Sequence, residues 1–329
     1  MDQFQLAFGG HPRQIKESDF NLGTLTPSIS PATFMPSYGL VTKMQGHQPE
    51  CGADSGSELK EILNVVSGNP YIELSDKFLW NQIKQIDQLP LDAGTDMGSI
   101  MKVLQKTGIC RFDLTGDDTT VSEQQFVQLT VTPEMITDAA THKIGTYAFT
   151  NNPTFQQIKD AIYQHKAVIL LLRVGAEWWT KPDGTGSWQE KDILPLRTTV
   201  PITSGHFVVA YAYDEKYIYF QNHWSALWGR NGIGYFAADY ASRCIEMGTA
   251  VDVSTTYQFT KVLKLGMTST DVGLLQQKLK TLGFFPAAQS ITSYFGPVTL
   301  KAVEAFQSTQ NLTNDGIVGA MTNTALNKA

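Results

Sequence analysis

Residues 48–56 read Gln48-Pro49-Glu50-Cys51-Gly52-Ala53-Asp54-Ser55-Gly56. Just after them, Leu59, Ile62, Leu63 and Val66 recur at i, i+3, i+4 and i+7, a spacing that predicts a helix from Asp54 to Val66. The polar stretch thus stands at a helix start, where the macrodipole favours an anion. Two distant stretches belong with it. Gly205-His206 opens the strand-like run Phe207-Val-Val-Ala-Tyr-Ala-Tyr213. After Asp214-Glu215-Lys216 and a second strand comes Phe220-Gln-Asn222-His223-Trp224-Ser225-Ala-Leu-Trp228-Gly229-Arg-Asn-Gly232.

Together these stretches resemble the papain-like cysteine peptidases, whose nucleophile signature is C-G-[SA]-C-[WY]. Cys51, Gly52 and Ala53 match, and Gln48 lies six residues before Asp54, where the family has its oxyanion-hole glutamine. The segments around His206 and Asn222 are similar to the family's G-H-A-V…G-Y and N-S-W-G-x-x-W-G-x-x-G, in the family's order. Leu74-Ser75-Asp-Lys-Phe78-Leu-Trp80 and the run Gly94 to Cys110 match bacterial-type members. The resemblance covers roughly residues 15–255. It implies that His206 is the proton acceptor and donor, that Asn222 orients its ring, and that Trp224 shields this contact. Gln48 and the backbone N–H of position 54 would form the oxyanion hole.

The departures fall where the chemistry is. Asp54 occupies the nucleophile position, Ser55 and Gly56 follow it, and His223 and Ser225 flank Trp224. A carboxylate cannot replace a thiolate in acyl transfer, because its attack on an amide would give a high-energy anhydride. The expectation is therefore an Asp54–His206 ion pair at the helix start, with the aspartate pKa depressed. Ser55, Ser57 and Cys51 are the alternative nucleophiles. His11, His47, His142 and His165 lack a partner pattern and read as surface positions. Trp178, Trp179 and Trp188 precede His206 and read as packing residues or as a cleft lining. No Cys/His grouping has zinc-ligand spacing, and no cofactor is expected.

Composition bounds the rest. The chain has 329 residues, 42% hydrophobic and 17% charged, with a net charge of −6, enough for real cores and too little charge for long disordered tracts. The absence of a Lys/Arg run argues against nucleic acid as a partner. The longest apolar stretch, Ala167–Leu172, is strand-sized and predicts no membrane span. Residues 1–10 show no secretory signal pattern. Cys51, Cys110 and Cys244 cannot all pair, so no disulfide framework is expected. Helices are predicted from Ser75, over Gly98–Lys106 and over Thr154–His165. Strands are predicted over Ala167–Val174, Phe207–Tyr213, Tyr217–Gln221 and Gly234–Phe236. A helical half before a strand-rich half is an α+β arrangement. Residues 1–45, rich in Pro, Gly, Ser and Thr, read as an extended arm, and residues 46–258 as the peptidase-like domain.

Residues 262–329 form a separate helical pattern. Val272, Leu275, Leu279 and Leu282 make one apolar stripe. Gly296-Pro-Val-Thr299-Leu-Lys-Ala302-Val303 recurs as Gly319-Ala-Met-Thr322-Asn-Thr-Ala325-Leu326, a G-x-x-T-x-x-A-[VL] repeat. The glycines read as tight turns and the threonines as helix caps. The whole region resembles a peptidoglycan-binding domain of the three-helix type. The resemblances imply a peptide-bond hydrolase fold directed to the bacterial cell wall, extracellular or virion-associated. With Asp54 in place, the leading expectation is a pseudo-peptidase that binds peptide, protein or peptidoglycan. An active cell-wall hydrolase and a structural phage-particle component are the alternatives.

Overall fold

The computed structural model describes residues 10–12, 30–45, 48–116, 128–178, 194–196, 202–252, 258–286, 289 and 291–329. His47, Trp179 and Trp188 lie outside the described residues. The chain divides into two compact units, Met1–Leu63 with Glu73–Val253, and Asn64–Ile72 with Ser254–Ala329.

Helix α1 (Cys51–Val66) begins three residues before the expected Asp54, because Ala53 N–H and Asp54 N–H both donate to the Glu50 carbonyl. Residues 51–64 are all buried. One face carries Gly52 and Gly56, one turn apart. A Cβ at position 52 would sit 2.5 Å from Thr95 Cγ2, and one at position 56 would sit 2.7 Å from Leu79 Cδ2. Those glycines let α2 (Asp76–Lys84) and α3 (Met97–Lys106) approach the α1 backbone closely. Ser75 caps α2 as expected, its Oγ accepting from Phe78 N–H at 3.0 Å. Asp96 caps α3 through Ser99 N–H at 3.1 Å. Gly108, at φ +85°, ends that segment where a Cβ would lie 1.9 Å from the Ala139 carbonyl oxygen. The short helix α4 (Pro133–Ala139) has no counterpart among the sequence expectations. Helix α5 (Phe155–His165) starts at a capping box formed by Thr154 and Gln157.

The strand-rich half is a six-stranded antiparallel sheet in the order β3-β8-β4-β5-β6-β7. Its members are β3 (Ile144–Asn151), β4 (Val168–Gly175), β5 (Ile202–Tyr213), β6 (Ile218–Gln221), β7 (Ile233–Phe236) and β8 (Cys244–Asp252). β4 pairs with β5 and β8, which explains its nearly unbroken apolar sequence. A core of Trp178, Phe220, Trp228, Phe236 and Tyr240 lies against this sheet. Trp178 is thus a packing residue, its Nε1 donating to Tyr240 Oη at 2.7 Å. The arm contributes Phe34, which exchanges backbone hydrogen bonds of 2.8 Å with Tyr213. It also contributes the two-residue strand β1 (Gly10–His11), which pairs in parallel with β2 (Thr95–Asp96).

The second unit contains α6 (Thr270–Thr281), α7 (Pro297–Thr309) and α8 (Ala320–Lys328). Its repeat works differently from the expectation. Gly296 and Gly319 stand at the helix N-caps with φ near −92° and −95°, a conformation open to any residue. Thr299 and Thr322 cap nothing; they lie inside the helices and accept hydrogen bonds from buried glutamines. Gln276 Nε2 donates to Thr299 Oγ1 at 2.8 Å, and Gln307 Nε2 donates to Thr322 Oγ1 at 3.1 Å.

Placing a valine on the glycine face of α1 should overpack it. Gly56→Val is expected to lower unfolding free energy by about 1–3 kcal/mol despite valine's better helix propensity. Urea unfolding measures this, and parental stability would show that α2 and α3 do not press on α1.

Candidate active site

The strand β5 and the loop after β6 bring His206 and Asn222 together. His206 Nε2 lies 2.8 Å from Asn222 Oδ1. The His223 N–H also donates to that oxygen, at 2.9 Å. An amide oxygen only accepts, so the proton of His206 sits on Nε2 and Nδ1 is the ring's basic nitrogen. Trp224 lies against the imidazole with ring centroids 4.8 Å apart, and Trp178 meets it edge-on at 5.5 Å. Trp224 is fixed in turn by its Nε1, which donates to Gln45 Oε1 at 3.1 Å. Gln48 is buried at the entrance to α1, its carbonyl accepting from Gln45 Nε2 at 2.8 Å.

Around Asp54 the arrangement departs from the expected ion pair. No histidine reaches it: the nearest is His223, whose Nδ1 is 4.0 Å from Asp54 Oδ2, beyond hydrogen-bond reach. The Asp54 side chain instead meets that of Asp76, and a hydrogen bond between the two carboxyls favours the protonated form. Burial holds its carboxyl well above the ordinary aspartate value, and the neighbouring negative charge of Asp76 raises it further, partly offset by Lys43. The shift is opposite to the expected depression, because desolvation outweighs the pull of the helix start. Burial also holds the His206 ring down to about 3, with His223 adding to the effect. A second expectation fails for a local reason. The Asp54 N–H donates to Glu50 at 3.1 Å inside the helix, so it is not presented to an oxyanion.

His223 is the residue that sequence reasoning undervalued. Its Nε2 lies 2.9 Å from Glu58 Oε2, with both side chains fully buried. Burial raises Glu58 well above its ordinary value and lowers His223 to about 3, which favours a neutral pair over an ion pair. The signal was available: Glu58 is four residues from Asp54 and therefore on the same helix face. The other candidate nucleophiles are enclosed. Ser57 Oγ donates to the Asp54 carbonyl at 2.8 Å, Ser55 is buried, and all three cysteines are buried thiols. His142 is buried beside Asp138, 3.5 Å from its Oδ1, rather than on the surface.

The chain's own arm lies alongside this cluster. Gly10 in β1 is so close to Gly205, the residue before His206, that a Cβ on Gly205 would be 2.3 Å from the Gly10 carbonyl oxygen. His11 Nε2 contacts the Ala93 carbonyl on the other side. Asp54, Glu58, His206, Asn222 and His223 all have 0% exposure.

This geometry can be set beside known proteins. Xylellain, a cysteine protease from Xylella fastidiosa, superposes with a TM-score of 0.64 at 17% identity, covering 75% of this chain and 97% of that one. The fold is papain-like. ProCathepsin B S9 from Trypanosoma congolense gives a TM-score of 0.58 at 12% identity, over 75% of this chain and 87% of that one. Digestive procathepsin L 3 of Tenebrio molitor larval midgut gives 0.53 at 14%, over 71% and 74%. Residues 268–326 match the family described as "Putative peptidoglycan binding domain". No curated protein sequence matches the chain. The architecture is therefore a papain-like α+β fold, with helical and antiparallel-sheet halves, followed by a helical peptidoglycan-binding domain.

The protonation states carry a pH signature. Asp54 and Glu58 are raised from ordinary values of 3.8 and 4.5, so the folded state binds more protons than the unfolded chain and loses stability as pH rises past those values. The two histidines are lowered from 6.5 to about 3, so they cost stability as pH falls below 6.5. Above pH 6.5 only the carboxyl effect remains. Relative to the parent, where the histidine effects are shared, Asp54→Asn and Glu58→Gln should therefore gain stability as the pH is raised from about 4.5. The gain is about 1.4 kcal/mol for each step of one in pH over which the replaced carboxyl would have kept its proton. Equilibrium unfolding across that range measures the gap; a pH-independent gap would mean that both carboxyls are ionised in the folded protein.

Proposed function

We propose that this protein is a wall-directed pseudo-peptidase. In this reading residues 1–45 are the arm, residues 46–258 keep a papain-like fold without its nucleophile, and residues 262–329 hold peptidoglycan. The reading rests above all on position 54, where a buried, proton-retaining carboxyl stands in place of a thiol. His206, Asn222, Trp224 and Gln48 keep the roles that the papain-like resemblance implies, so the base and its orienting amide remain while the group they would activate is gone.

The alternatives within the site are weak on chemical grounds. A neutral carboxylic acid is a poor nucleophile, and its acyl product would be an anhydride. Ser57 spends its proton on the helix backbone. Burial pushes the Cys110 thiol up to about 12 and raises Cys244 as well, which disfavours the reactive thiolate. Cys51 precedes the position that faces the histidine. In this reading the papain-like domain binds a peptide or protein segment without cutting it, and the C-terminal domain supplies the tether. No helix among the described residues is long and apolar enough to cross a membrane.

The test incubates the full chain with purified peptidoglycan sacculi and a fluorogenic peptide library, alongside His206→Ala. The expected result is no turnover by either protein above the buffer rate. Turnover by the parent that disappears in His206→Ala would refute the pseudo-peptidase reading and restore a hydrolase.

A further inference from the structure

Between two anchors the arm arches over the strand-rich half. Phe34 exchanges backbone hydrogen bonds with Tyr213 at the end of β5, and Gln45 N–H donates to the His223 carbonyl beyond β6 at 2.9 Å. Residues 35–42 lie between these anchors, turned at Gly39 with φ +67°. A cavity of about 400 Å³ opens between this arch, the strands β5 and β6, and the loop into β7. It lies toward the far end of β5 from His206, since Tyr211 is five residues further on, about 17 Å along an extended strand.

A bulge delivers the central side chain. Ala210 pairs with Phe220 and Ala212 with Tyr219, so Tyr211 is the extra residue of β5. Bulges re-aim side chains and are over-represented next to active sites. Ala210 and Tyr213 belong to the core, whereas Tyr211 turns to the arch and meets Tyr38, with ring centroids 6.0 Å apart and planes at 65°. Two rings at that angle make a V-shaped crevice rather than a flat platform. Tyr219 lines the same cavity from β6, and Met35, Leu40 and Ile233 add apolar contact. Some of the walls are fixed by hydrogen bonds: Tyr219 Oη donates to Asp214 Oδ2 at 2.7 Å, and Gln221 Nε2 donates to Thr42 Oγ1 at 3.2 Å. Other polar groups are spare. The side chains of Ser37, Tyr211 and Asn231 make no hydrogen bond among the described residues.

This lining suits a ligand with compact apolar rings and unpaired acceptors. A proline-rich segment in the polyproline II conformation is such a ligand. Its pyrrolidine rings fit aromatic crevices, its carbonyls have no partner within the helix, and proline brings no N–H that would need an acceptor. A saccharide instead brings many hydroxyl donors, and among the described residues no carboxylate lines the cavity to receive them. We propose that the cavity under the arch is a docking site for a proline-rich segment of a protein partner. One proline ring sits between Tyr38 and Tyr211, and backbone carbonyls accept from Tyr211 Oη and Asn231 Nδ2. The assignment goes beyond the pseudo-peptidase reading and does not depend on it, because the cavity lies away from His206.

The test titrates the full chain with fluorescein-labelled decaproline, read by anisotropy and by the methionine methyl resonances. Saturable binding with a Kd below about 1 mM is expected, with a shift at Met35, which lines the cavity, and none at Met321 in the second unit. Tyr38→Ser removes one wall of the crevice and should weaken binding roughly tenfold or more. Tyr211→Phe removes only a donor and should weaken it roughly threefold to tenfold. The control Leu227→Ser, at a residue 91% exposed and outside the lining, should change it less than about twofold. Circular dichroism should be unchanged in all. No saturation by about 10 mM peptide, saturation that leaves Met35 unmoved, or parental affinity in Tyr38→Ser would each overturn the site. Displacement of decaproline by chitohexaose would identify a saccharide site and reject the proline-rich assignment. Turnover in the peptidoglycan assay would refute the pseudo-peptidase reading and leave this site standing.

Discussion

Helix α1 is surrounded by protein, and it carries Asp54, Glu58, Lys60 and Glu61 into that dry environment. Desolvating a charge costs several kcal/mol unless it is paired and hydrogen-bonded. Three of the four groups have partners that offset this cost. Lys60 meets Asp252 on β8. Glu61 lies 3.3 Å from Lys43 Nζ and accepts the Leu74 N–H at 2.9 Å. Glu58 reaches His223. These contacts tie the helix to the sheet on one side and to the α2 approach on the other, while the glycines of its opposite face admit α2 and α3. Asp54 meets another carboxyl, that of Asp76, and burial together with that neighbour favours its neutral form.

The same constraint decides the electrostatics of the site. A helix N-terminus stabilises an anion by roughly 0.3–1 kcal/mol when exposed and up to about 2 kcal/mol when partly buried. Complete burial beside Asp76 works against the anion by more than that, so the carboxyl rises and both imidazoles fall. The result is a histidine whose tautomer is set as a base would need it, near a carboxyl whose burial favours its neutral form. An ion pair would have required solvent or additional donors around Asp54, and Gly10 instead packs tightly against Gly205, the neighbour of His206 in β5.

What was readable in the sequence follows the range of the interactions. His206 and Asn222 are 16 residues apart on adjacent strand segments, and it was the papain-like resemblance of their flanking motifs that paired them. The caps at Ser75 and Thr154 are likewise local. Glu58 and His223 are 165 residues apart, and their contact exists only once the sheet docks on α1. Strand β8 was hidden because tertiary contacts break its alternation: Glu246 is buried within it, and Gly248 lies where a Cβ would be 2.8 Å from Met97 Sδ. The early start of α1 was hidden by Pro49 and Glu50, which read as a loop until Glu50 is seen accepting two helical N–H groups. The pKa reversal was beyond pattern altogether, since it depends on how completely the cluster is enclosed.

The C-terminal domain shows the complementary case. Its signature glycines and threonines looked like turn and cap chemistry, yet what they serve is the pair of buried amides. Gln276 Oε1 accepts the N–H groups of Thr292 and Ser293 while Nε2 holds the Tyr294 carbonyl, and Gln307 repeats this with Gly316 and Ile317. A buried amide with all its groups satisfied specifies one loop path and tolerates little change. The loop paths and the glutamine-threonine contacts therefore repeat, and they account for the family match.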